Sequence, residues 1–265
     1  MGTRLSTSLA RLALAAAATA CIETTDVTPS ANRLVVHAVL DPGVQHQIVV
    51  VQTTTGAVVT QQQVTGAVVT IATPDGRMLT AVERRDTAAI TGFFPFPRVT
   101  TIYDVDAGPV GLIPGGTYQL RVVAPDGRTV TGQTTIPNAV PSTGTAPTQT
   151  FDRTRDTLSL QWSRVTGARS YQVFIRSTAN ISSLFVSDTS AMLPGNMQVL
   201  DTGEDVFERR LTHQVAVIAV DENYFDYYHR TSDFTTTTGL VMHLDGGIGV
   251  FGSVVTVATR TIDVK

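Results

Sequence analysis

Apolar residues in this chain recur in short runs that alternate with polar ones or stop at turn residues. Only one stretch carries a helical period. Leu34 to Leu40 is apolar apart from His37 and stops at Asp41-Pro42-Gly43, a turn signal. His46 to Thr53 follows as a second β-rich run. Gly56-Ala57-Val58-Val59-Thr60 and Gly66-Ala67-Val68-Val69-Thr70 repeat at a spacing that suits successive short strands of a sandwich, unless one copy lies in a loop. Pro74-Asp75-Gly76-Arg77 and Pro125-Asp126-Gly127-Arg128 each separate an apolar run (Val68 to Ala72, Tyr118 to Ala124) from a Thr-rich one. Asp-Gly in that setting predicts a hairpin, because Gly accepts the positive φ that the turn needs. Both copies are therefore punctuation rather than sites. Pro114-Gly115-Gly116 turns the chain into a further strand.

Residues 33–136 thus hold about seven predicted strands, enough for one immunoglobulin-like sandwich. Residues 137–150, with Pro137, Pro141, Gly144 and Pro147 among Thr and Ala, read as a linker. A second β unit, 151–265, opens with the alternating Thr157-Leu158-Ser159-Leu160-Gln161-Trp162. Gly167-Ala168, Ser170 to Ile175 and Gln214 to Asp221 follow. Together with Trp162 these segments resemble a fibronectin type III domain, in which His213 stands where that family has a corner tyrosine. We read His213 as a satisfied group near the core. Asp221 to Arg230 is the one helix: Asp221 can cap it, and Tyr224, Phe225 and Tyr228 share a face. Thr235 to Thr238 is a low-complexity loop. Gly246 to Ser253 reads as a turn, and Val254 to Val264 as a closing strand.

Abundant Thr and Val with few Lys and Glu agree with an all-β fold: two β-sandwiches in tandem with one short helix near the C-terminus. Lys265 is the only lysine, and the net charge is −3 at pH 7. That balance gives no electrostatic footprint for nucleic acid.

The first twenty residues change the picture most. Arg4 and Arg11 precede a short apolar run, Leu12 to Ala17, and small residues lead to Cys21, the single cysteine. Such an arrangement predicts a secretory signal over residues 1–20, with a polar tether over 21–32. The segment resembles a bacterial lipobox, with Ala18 where Leu is usual, so Cys21 is the expected lipidation site. A plain cleaved signal is the alternative. Ile22 follows the cysteine where inner-membrane retention usually has Asp, and by resemblance the outer membrane is the destination.

Lipobox, hairpin-bearing first sandwich, Trp-bearing second sandwich, Tyr-rich helix and the ending Gly246-Gly247-Ile248-Gly249-Val250-Phe251-Gly252 together resemble one family. It is domain-of-unknown-function family 4249, outer-membrane lipoproteins of Gram-negative bacteria. The resemblance implies an accessory role beside TonB-dependent receptors, with such a barrel as partner, and assigns no catalytic residues.

Candidate chemistry is sparse. Asp104-Val105-Asp106-Ala107-Gly108 opens like a calcium loop but lacks the later ligands, and is read as a solvated turn. Asp221, Glu222, Asp226, His229, His243 and Asp245 form the densest titratable group, yet no zinc-binding spacing occurs among them. No cofactor or metal is expected beyond the lipid on Cys21. Phe93, Phe94 and Phe96 in a proline-broken stretch, and Tyr224, Phe225, Tyr227 and Tyr228 on the helix, are the candidate binding residues, because clustered aromatics make interface anchors. Packing against the sandwiches is the competing reading for both clusters. The expectation is a non-enzymatic, lipid-anchored binding protein. A structural or adhesive surface protein, and an exported hydrolase using residues 226–245, are the alternatives.

Overall fold

A computed structural model of the chain describes residues 32–55, 60–85, 101–142, 148–199, 202–232 and 242–265. The signal, Cys21, the tether up to residue 31, residues 56–59 of the first Gly-Ala-Val-Val copy, Phe93, Phe94, Phe96 and the Thr235–Thr238 loop lie outside the described residues.

The first half forms β1 (Leu34–Leu40), β2 (His46–Thr55), β3 (Thr60–Gln63), β4 (Val68–Ala72), β5 (Met78–Thr80), β6 (Val82–Arg85), β7 (Thr101–Asp106), β8 (Thr117–Val123) and β9 (Thr129–Thr135). The second contributes β10 (Thr148–Phe151), β11 (Thr157–Gln161), β12 (Ser170–Arg176), β13 (Ile181–Val186), β14 (Ser190–Pro194), β15 (Thr212–Val220), α1 (Glu222–Ser232), β16 (Leu244–Asp245) and β17 (Gly247–Val264). The expected all-β class, with one short helix near the C-terminus, is what the described residues adopt.

Both Pro-Asp-Gly-Arg segments are hairpins, joining β4 to β5 and β8 to β9. Gly76 and Gly127 take φ of 83° and 87°, which a side chain would oppose. Each Asp also holds the Arg two residues on, at 2.7 Å from Asp75 and 2.6 Å from Asp126.

The two halves are joined by one strand. In the large sheet the order is β13-β12-β15-β17-β1-β2-β7-β6, with β3 on β2 and β10 on β17. The first part of β17, Gly247 to Ser253, runs parallel to β1. Its second part runs antiparallel to β15 and, at Thr261 to Val264, parallel to β10. The boundary expected at 137–150 therefore separates the chain but not the sheet, and Thr148 to Thr150 of that linker already belong to β10. Gly246 to Ser253, read as a turn, is almost wholly strand.

Two cores result. The sheet carrying β1 packs on β16-β9-β8-β4-β5 through Leu34, Val36, Tyr103, Tyr118, Leu120 and Phe251. The sheet carrying β15 packs on β11-β14 through Phe151, Leu160, Tyr171, Leu193 and Phe207. A third, smaller cluster joins Val39, Phe174, Ile218, Tyr224 and Val254 beneath α1. Trp162 packs edge-on to Tyr171, 5.3 Å between ring centres. His213 is fully buried and satisfied: Nε2 accepts from the Glu208 amide at 3.1 Å and Nδ1 lies 3.2 Å from the Leu211 carbonyl. Burial lowers its pKa.

Candidate functional site

The C-terminal half of the molecule converges on the start of α1. Asp221 caps the helix, its Oδ1 accepting the Tyr224 amide at 2.9 Å as the sequence predicts. The same oxygen accepts the Ser253 amide of β17 at 3.0 Å, and Oδ2 accepts the Thr134 hydroxyl of β9. Burial pushes this carboxyl up, against the pull of the Thr134, Tyr224 and Ser253 hydrogen bonds. Asn223 adds a second tie, its amide donating to the carbonyls of Gln133 at 2.6 Å and Phe251 at 2.8 Å. One helix turn thus fastens β9 to β17.

The helix aromatics face the protein. Tyr224 is fully buried, its hydroxyl donating to Gln172 Oε1 at 2.8 Å. Tyr228 sits 4.5 Å from it, ring to ring, and Tyr227 meets His37 edge-on at 5.5 Å. Phe225 stacks on His229, meets Phe185 edge-on and lies 4.8 Å from the Arg169 guanidinium. Tyr224 has no surface to offer a partner, while Phe225, Tyr227 and Tyr228 are half-buried and hold the helix on the sheet.

Of the titratable group, the fold brings Asp226 and His243 together at 2.9 Å. His229 is taken up by the aromatic stack, and Glu222 and Asp245 are exposed. Among the described residues no three His, Cys, Asp or Glu side chains come close enough to hold a metal. Asp104 is occupied by His46 and Arg84, at 2.9 and 3.0 Å, and Asp106 by Gln45 and the Gly108 amide. Asp104 to Asp106 is the end of β7, paired with β2 and with Asp104 buried, rather than the solvated turn expected, and the chain turns only from Gly108.

Beside the Asp226–His243 pair lies an open groove of about 670 Å³. Its floor is the outer face of the five-stranded sheet, where Gln119 and Arg121 of β8 lie beside Thr131 and Gln133 of β9. His243 and Asp245 form one side and Met78 the other. Alternation in Tyr118-Gln119-Leu120-Arg121-Val122 already marks Gln119 and Arg121 as outward-facing. No local pattern shows that β16 pairs with β9, Asp245 opposite Thr131, and so places His243 at the rim.

The model for the family described as Domain of unknown function (DUF4249) matches residues 22–259. The chain belongs to the DUF4249 family. Comparison with curated proteins gives no match. In this DUF4249 chain the glycine-rich ending, the most specific part of the resemblance, is a set of close approaches. A Cβ on Gly247 would sit 2.5 Å from Val130 Cγ2, and one on Gly252 2.9 Å from the Tyr224 backbone nitrogen. A Cβ on Gly246 or Gly249 would strike the Thr129 or Val36 carbonyl oxygen. The motif lets β17 squeeze between β1, β9 and the helix. Its role is packing.

Proposed function

We propose that this DUF4249 protein is a non-enzymatic, lipid-anchored outer-membrane protein, acylated at Cys21, serving as an accessory binding component of a TonB-dependent uptake system. The groove beside α1 carries the reading. Polar side chains line a floor whose strands are hydrogen-bonded to neighbours, so a ligand or partner meets a surface formed before it arrives. The signal pattern and the lone cysteine support the anchor. Between Cys21 and Leu34 the chain can reach at most about 47 Å when fully extended, which would hold the sandwiches close to the membrane.

The test is purification from the source membrane with the anchor intact, followed by mass spectrometry of the protein and everything retained with it. The expected result is an acyl mass on Cys21 and a stoichiometric TonB-dependent barrel, with less barrel retained by Arg121→Glu. Acylated protein recovered alone overturns the accessory role. An unmodified Cys21 overturns the anchor.

A further inference from the structure

The large sheet ends differently on its two sides. At one end β6 is charged along most of its length, with Glu83, Arg84 and Arg85. Such charges discourage a further strand from pairing. At the other end β13, Ile-Ser-Ser-Leu-Phe-Val, carries no charge and no proline. Ile181 at its start is 52% exposed.

The backbone direction along β13 follows from its hairpin. The Ser177 amide donates to the Asn180 carbonyl at 3.0 Å, and the register continues as Ile175 opposite Ser182 and Val173 opposite Leu184. Antiparallel pairing alternates, so Ser182, Leu184 and Val186 turn their backbone groups to β12. Ile181, Ser183 and Phe185 turn theirs outward, where no strand among the described residues pairs with them. Directly alongside runs a groove of about 570 Å³, walled on one side by Ile181 to Leu184 and on the other by Met197, Val199 and Val206. In the wall on the β13 side, Asn180 Oδ1 and Ser182 Oγ are closed off from solvent and have no hydrogen-bond partner. One acid, Glu204, stands exposed on the rim.

We infer that β13 is a strand-addition site for an extended segment of another polypeptide, apolar and β-branched, with a basic residue set against Glu204. The free amides and carbonyls of Ile181, Ser183 and Phe185 supply the ladder. The facing apolar wall takes alternate side chains of the segment. Charge decides the occupant. β13 brings nothing that repels, and Glu204 favours a cationic neighbour over a second copy of this chain, which would set acid against acid. The site is separate from the groove beside α1 and stands or falls without it.

The test uses the mature full-length protein and the blocked peptide acetyl-Thr-Val-Thr-Val-Lys-Val-Thr-amide. Binding by calorimetry is expected, with slowed hydrogen exchange at the amides of Ile181, Ser183 and Phe185. Ser183→Pro removes an outward N–H and leaves the β12 ladder intact, so protection at Ser182 and Leu184 persists while peptide binding falls more than tenfold. Glu204→Gln weakens binding severalfold. A peptide N-methylated at alternate valines, which leaves the protein untouched, is expected not to bind. No binding at millimolar peptide, or binding indifferent to both Ser183→Pro and N-methylation, overturns the inference. A dimer in sedimentation that excludes the peptide and is lost in Ser183→Pro overturns it in favour of a second copy.

Discussion

His37 and Gly249 sit near each other in the central sheet and are constrained in opposite ways. His37 is 7% exposed, its Nδ1 has no partner, and burial lowers its pKa from 6.5 to about 4. As pH falls through 6.5 the unfolded chain takes a proton that the native ring refuses until about pH 4. Stability is therefore complete above pH 6.5 and declines between 6.5 and 4, by up to about 3 kcal/mol. Chemical denaturation from pH 7.5 to 4.5 is expected to show this decline in the native chain and to lose it in His37→Gln. The raised carboxyl of Asp221 acts with the opposite sign and is common to both proteins, so the difference between them isolates the histidine. Gly249 is constrained by space: its φ of 116° disfavours any side chain, and a Cβ would strike the Val36 carbonyl. Gly249→Ala is expected to cost about 3 kcal/mol or more, read as a shifted denaturation midpoint.

Among the elements, the helix and the two hairpins are legible from their own residues, because a cap, a shared face and an Asp-Gly turn are local physics. Asp221 shows where locality stops. Its cap on Tyr224 is readable, but its bonds to Ser253 and Thr134 join positions remote in sequence. Asp221→Ala is accordingly expected to cost more than the ordinary ~1 kcal/mol of a lost cap, since it also takes away the acceptor of the buried Ser253 amide and one of the two partners of the Thr134 hydroxyl. Equilibrium unfolding measures it. β17 is the element least legible. A glycine-rich run reads as a turn because glycine favours no strand by itself, and here the strand is imposed by neighbours that leave no room for a Cβ. The groove beside α1 was half legible: alternation marks Gln119 and Arg121 as outward, whereas His243 reaches its rim only through the β16–β9 pairing. The helix aromatics suggest a surface by composition, and the sheet beneath them turns Tyr224 into core.

At the scale of the whole molecule, two cores share one backbone. The strand that completes the sheet of the first core at Gly247 to Ser253 completes that of the second at Val254 to Val264. Calorimetry is expected to show one unfolding transition rather than two. A chain ending at Asp245 is expected to lose both sandwiches, seen as loss of cooperative melting. Sequence reading finds two domains because each half has its own strand pattern and the segment between them is rich in proline; it has no means of seeing that the last strand belongs to both. That strand also sets a clock. Leu34 pairs with Gly247, far along the chain, so the sheet of the first core must wait, unfinished, until everything between them has been synthesised. Pairings this distant in sequence form slowly. Under the export proposed above, such a delay would keep the polypeptide pliable while it is threaded through a narrow pore.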